Sequence, residues 1–167
     1  ELSKSPKGLF FFFFSKQSLY SRNYSWTSAH PRLQFRGRTR TLKRNYRSTA
    51  EIDRAAYDVL EPEANEVFEP SSSIHTGPMP VLVLGVSMEE TAAWVSKFIR
   101  QMSQHLRMKT STSGVLVPTK EIGEFIASSL EDEGIPAQFF AGKDLDLNAD
   151  VTKVLTLHSA KGLEFPI

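Results

Sequence analysis

Two short strings hold the residues of this chain best equipped for chemistry. The first is Leu42-Lys43-Arg44-Asn45-Tyr46-Arg47-Ser48, which sets an arginine directly ahead of the Ser48-Thr49-Ala50-Glu51 segment. A guanidinium is planar, forked and permanently charged, so it can bind two phosphate oxygens at once. A helix starting just beyond it would add an attraction for anions. The second string follows an expected strand over Val151 to Thr156 and reads Leu157-His158-Ser159-Ala160-Lys161-Gly162-Leu163-Glu164-Phe165. Thr156, His158 and Ser159 bring short polar donors suited to a phosphodiester, Gly162 lets the backbone approach a ligand closely, and Glu164 brings an acceptor for a sugar hydroxyl. Each feature also has a plainer reading when taken singly. A Tyr-Arg pair is more often a packed ring beside a surface ion pair, and a strand-ending histidine is more often structural.

The elements that must position these residues follow from the hydrophobic pattern. Ser48 and Glu51 have capping-box spacing, which predicts a helix starting there, with Ile52, Ala55, Ala56, Val59 and Leu60 on one stripe and Glu61-Pro62 as its end. The stretch 61–80 carries four prolines, a Ser71-Ser72-Ser73 run and Gly77-Pro78, and reads as a surface connection without an element of its own. Val81 to Leu84 is a continuous apolar run of the kind buried on both faces of a parallel sheet. Ser87 with Glu90 opens a second helix whose stripe is Val95, Phe98, Ile99 and Met102. Val115 to Val117 is a strand, Thr119 caps a helix bearing Ile122, Phe125, Ile126 and Leu130, Gly134 stops it, and Ala137 to Phe140 is a further strand. Phe10 to Phe14 is too short for a signal or membrane segment and reads as a buried strand. Strands alternating with helices in this way give an α/β class with a mainly parallel sheet flanked by helices.

Composition narrows the function classes. A chain of 167 residues has room for one α/β domain with its own core. With no cysteine and four scattered histidines, it has no disulfide framework and no metal-ligand spacing, so a reducing compartment such as the cytoplasm is permitted. The net charge of +1 conceals an asymmetry: Lys16, Arg22, Arg32, Arg36, Arg38, Arg40, Lys43, Arg44 and Arg47 fall between Ser15 and Ala50 with no acidic residue among them. A block of this kind suits a polyanionic partner, although a solvated arm would have the same composition.

Thr156 to Phe165 resembles motif V, and Leu42 to Ser48 motif IV, of the UvrD/Rep family of superfamily 1 DNA helicases. Gln17-Ser18-Leu19-Tyr20 resembles the core of motif III, so three matches stand in family order. The chain departs from the family at Phe13 and Phe14, where a Gly-Asp pair is usual, and at Arg22, where better-known members carry a base-stacking aromatic. The resemblance implies a RecA-like, P-loop NTPase-type second motor domain, incomplete here, with a basic segment with a motif III-like region over 1–47 and a partial C-terminal domain over 48–167. It gives Arg47 the part of a finger on the terminal phosphate of ATP, Tyr46 that of an adenine stack, and Gln17 that of a reporter on that phosphate and its attacking water. It gives Gly162 and Glu164 to the nucleotide, and Thr156, His158 and Ser159 to the DNA strand. Tyr24 and Trp26 stand near enough to Arg22 to replace the missing stacking aromatic.

The sequence contains no Gly-x-x-x-x-Gly-Lys-Ser/Thr loop and no strand-ending Asp-Glu pair for magnesium. The resemblance therefore implies an internal piece, from about Gln17 to Ile167, of a longer ATP-dependent 3′-to-5′ DNA helicase. In that reading ATP with Mg2+ is held mainly by an N-terminal lobe. Its partners are the rest of the motor and single-stranded DNA, or duplex with a single-stranded tail, with no membrane. This chain alone is then expected to be inactive as an ATPase. The other readings are a non-catalytic nucleic-acid-binding remnant of such a helicase, and the product of a decayed gene with no function of its own.

Overall fold

Hydroxyl side chains set the start of each helix among the residues described by the computed structural model, 44–60, 72–85 and 87–167. The element order is β1 (Arg44–Thr49), α1 (Ala50–Leu60), β2 (Ser72–His75), α2 (Met88–Leu106), a 3-10 turn (Thr110–Thr112), β3 (Gly114–Val117), α3 (Lys120–Asp132), β4 (Ala137–Phe140), a second 3-10 turn (Gly142–Asp144) and β5 (Thr152–Thr156). They form two compact units that divide between Leu82 and Val83. All the strands described pair in parallel, and the architecture is mixed α/β, with helices flanking parallel sheets. The expected Phe10 to Phe14 strand, the Glu61-Pro62 stop and most of the basic block lie outside the described residues.

In the first unit β1 pairs with β2, Arg44 opposite Ser72 and Thr49 opposite His75, with a register slip between Asn45 and Thr49. The stretch 61–80 therefore does contain an element, β2, which its proline and serine content concealed. The cap of α1 is Thr49 rather than Ser48: its Oγ1 accepts the Ile52 N–H at 3.4 Å. Ser48 still belongs to the strand, and its own N–H is held by Asn45 Oδ1 at 3.2 Å. Glu51 does not close a capping box, because its carboxylate accepts the Gly77 N–H at 2.8 Å. The apolar stripe of α1 also fails as a core face, since Ile52 and Val59 are exposed while Glu51, Asp53, Ala55 and Tyr57 are half-buried. The hydrogen bonds that Asp53 accepts from the Ser73 hydroxyl and Glu51 from the Gly77 N–H draw that polar side inward instead.

Val81 to Leu84 corrects a second expectation. The run forms no strand, and Leu82 and Leu84 are each 88 % exposed. An apolar run is buried in a sheet only when strands flank it, and none pairs with it among the described residues.

The second unit is a three-stranded sheet of order β3-β5-β4. Val115 lies opposite Val154, and Phe139 opposite the same Val154 from the other side, so β5 is the middle strand. Helix α3 lies on all three strands and α2 packs on α3. Their shared core holds Ala92 and Ile99 from α2, Ile126, Ala127 and Leu130 from α3, and Val117, Ala137 and Val154 from the strands. Ser87 Oγ accepts the Glu90 N–H and Thr119 Oγ1 accepts the Ile122 N–H, as the spacing predicts. Gly134, with φ of 76°, ends α3 in the left-handed region, and the Ile135 N–H closes back on the Leu130 carbonyl at 2.8 Å. Gly123 has a different task. A Cβ there would stand 2.4 Å from the Phe139 ring, so the missing side chain lets that ring press on α3.

Helix α2 buries small residues, Ala92, Ser96 and Ser103, alongside Ile99, and leaves Phe98 partly exposed against expectation. Its close approach is fixed at the end of α3, where Ser96 Oγ donates to the Glu133 carboxylate at 2.6 Å and Arg100 donates to the Glu133 carbonyl. The amino end of β5 is held by Lys153, buried at 5 % exposure. Its Nζ donates to the Ser111 and Ala149 carbonyls at 2.8 and 2.7 Å. No helix among the described residues is long and apolar enough to cross a membrane.

Candidate functional site

Tyr46 and Arg47 are consecutive residues of β1, both exposed, immediately before α1. The backbone that carries them is fixed by a neighbour. Asn45 Oδ1 accepts the N–H of Arg47 at 2.8 Å and that of Ser48 at 3.2 Å, an Asx turn that holds the strand just before the helix. Asn45 Nδ2 donates to Asp53 Oδ1 at 2.7 Å, and Asp53 Oδ2 accepts from Ser73 Oγ at 2.7 Å. Residues of β1, α1 and β2 are thereby tied together next to Arg47. The first turn of α1 is occupied from within: Thr49 caps it, and Glu51 accepts its own backbone N–H as well as that of Gly77, which holds its carboxyl below the usual carboxylate range.

The second group leaves the carboxyl end of β5, the middle strand, and ligands of open α/β sheets bind outside such ends. Leu157 N–H continues the ladder to the Val117 carbonyl at 3.1 Å, after which the chain turns over residues 157–162. Thr156 and Ser159 come together there. Their hydroxyls are 3.0 Å apart, and Thr156 Oγ1 also accepts the Ser159 N–H at 3.3 Å. Gly162 has a φ of 88°, a conformation that side chains resist, and the turn closes with the Leu163 N–H on the Ala160 carbonyl. The segment after it returns to β3. Gly114 donates its N–H to the Ile167 carbonyl at 2.9 Å, and a Cβ on Gly114 would stand 2.3 Å from the Phe165 ring. Phe165 thus seats the turn on the sheet, with His158 and Glu164 exposed.

Of the residues singled out in the sequence, Gln17, Tyr24 and Trp26 lie outside the described residues. Tyr46 and Arg47 belong to the first unit, and Thr156, His158, Ser159, Gly162 and Glu164 to the second. Sequence reasoning gave no role to Asn45, Asp53 or Ser73. For Asn45 a signal was present, an Asn two residues ahead of the arginine whose amide it holds. For Asp53 and Ser73 there was none, because their contacts are tertiary. Among the described residues no group of three or more His, Cys, Asp or Glu side chains could hold a metal ion.

The family model of the UvrD-like helicase C-terminal domain matches this chain over residues 40–145. The match takes in Tyr46, Arg47, the Asn45 network and the sheet as far as β4, and it ends before β5. No curated protein matches the chain.

Proposed function

We propose, since the chain belongs to the UvrD-like helicase C-terminal domain family, that it supplies the second motor half of an ATP-dependent DNA helicase with 3′-to-5′ polarity. The observation that carries this reading is Arg47 itself: exposed, held by its backbone immediately ahead of α1, and inside the matched segment. A motor of two lobes needs a group on one lobe that feels the terminal phosphate held by the other, so that hydrolysis loosens their grip. An arginine fork meets that need, and such fingers are worth roughly 10³–10⁵ in rate. Tyr46 offers its exposed ring to the adenine, and Gln17 reports on the terminal phosphate and its attacking water. In this reading magnesium would be held mainly by the phosphate-loop lobe and would supply charge neutralisation on the phosphates.

On the DNA side, Thr156, His158 and Ser159 contact strand phosphates, Tyr24 and Trp26 stack on unpaired bases, and Gly162 and Glu164 approach the nucleotide ribose. The turn after β5 then touches strand and nucleotide together, which makes it the coupling element. The partners are single-stranded DNA, or duplex with a single-stranded tail, and the remainder of the motor, in the cytoplasm. The experiment is steady-state phosphate release by the chain alone, by a phosphate-loop lobe alone, and by the two joined, each with and without single-stranded DNA. DNA-stimulated turnover confined to the joined protein is expected. No gain on joining would favour the non-catalytic binding remnant.

A further inference from the structure

We infer that Asp53 is a positioning residue for Arg47, acting through the side-chain amide of Asn45; this rests on the reading of Arg47 as the phosphate sensor. A carboxamide has two chemically different ends, and here each has a matched partner. Nδ2 donates to Asp53 Oδ1 at 2.7 Å, while Oδ1 accepts the Arg47 and Ser48 N–H groups. If the amide reversed, its oxygen would face a carboxylate oxygen and its NH2 would face two N–H donors. The negative charge of Asp53 thus selects the orientation that holds the Arg47 backbone, and hydrogen bonds to an ionised acceptor are about twice as strong as neutral ones. Ser73 Oγ fixes the other carboxylate oxygen at 2.7 Å, so α1 cannot shift without β2. The chain of contacts ends on the backbone N–H of the residue that must meet the phosphate. Positioning errors there are costly, since a displacement of ~1 Å can reduce rate by ~10²-fold.

The test is a reciprocal exchange in the chain joined to a phosphate-loop lobe. Asp53→Asn removes the charge that selects the Asn45 orientation and leaves only a neutral amide oxygen to accept from it, and Asn45→Asp sets two carboxylates against each other. The double variant Asn45→Asp/Asp53→Asn restores every donor–acceptor pair at the original net charge. We expect Asp53→Asn to lower kcat for DNA-stimulated ATP hydrolysis roughly ten- to a hundredfold with little change in KM, and the double variant to recover most of it. On an Arg47→Ala background Asp53→Asn should add little further loss in kcat, because its effect on turnover runs mainly through that side chain. In the 167-residue chain by itself, hydrogen exchange at the Arg47 and Ser48 amides should speed up in Asp53→Asn and slow again in the double variant. An inactive Arg47→Ala enzyme beside a fully active Asp53→Asn enzyme would overturn this inference alone. So would unchanged amide exchange, or an undiminished further loss on the Arg47→Ala background, which marks a general effect on folding. An Arg47→Ala enzyme with normal turnover would overturn the inference together with the reading beneath it.

Discussion

At the scale of single residues, sensing the nucleotide and holding the strand are assigned to different side chains. Lysine in place of Arg47 keeps the charge and loses the fork, so in the joined protein Arg47→Lys should recover little of the ATPase lost in Arg47→Ala. His158→Ala should leave basal turnover in place and weaken its stimulation by DNA, since the exposed imidazole lies on the turn assigned to the strand. Titrating single-stranded DNA into ATPase assays of the three proteins separates the two effects; loss of DNA stimulation in the arginine variants alone would reverse the assignments. Arg47 and Tyr46 were legible because motif chemistry is written in consecutive residues. The Asn45–Asp53–Ser73 network was not, because nothing in the local string says that a helix residue and a residue of a distant strand will meet beside Arg47.

Elements were legible to the extent that their causes are local. The caps at Ser87 and Thr119 and the left-handed stop at Gly134 depend on three or four neighbouring residues, and the structure has them where the spacing put them. Ser48 and Thr49 offered two adjacent hydroxyls, and only the extent of β1 decided between them. Val81 to Leu84 failed as a strand because pairing is a property of neighbours, which a run of apolar residues does not contain. Two predictions belong here. Gly123→Ala gains about 1 kcal/mol in helix propensity, but its methyl would press into the Phe139 ring, an overpacking cost of roughly 1–3 kcal/mol. Denaturant unfolding should therefore find the variant less stable; a stabilised protein would mean the ring moves aside freely.

The second concerns Asp150, whose carboxyl is held below the usual carboxylate range by the Ser111 hydroxyl and then by Lys109. A lowered folded value means the native state binds fewer protons than the unfolded one. This contribution to stability is complete above the ordinary value of about 4 and is lost as pH falls through the lowered folded value. Asp150→Asn should melt below the wild type at neutral pH, with the gap closing on acidification. A gap independent of pH would contradict the assignment.

At the scale of the whole molecule, the charge block between Lys16 and Arg47 predicts weak, largely sequence-independent binding of single-stranded DNA that falls steeply with salt. Fluorescence anisotropy over a salt series checks this, and an affinity flat between low and physiological salt would remove the phosphate-contacting surface from the account. The parallel α/β class was legible from the alternation of strands and helices, whereas the division between Leu82 and Val83 depends on contacts that no composition shift announces. The central claim is that this chain completes an ATPase by supplying Arg47. Its most direct test joins the wild-type chain, or its Arg47→Ala variant, to a phosphate-loop lobe and measures DNA-stimulated phosphate release. The account predicts turnover with the wild-type chain and loss of most of it with the variant at nearly unchanged DNA affinity; equal turnover in the two would contradict it.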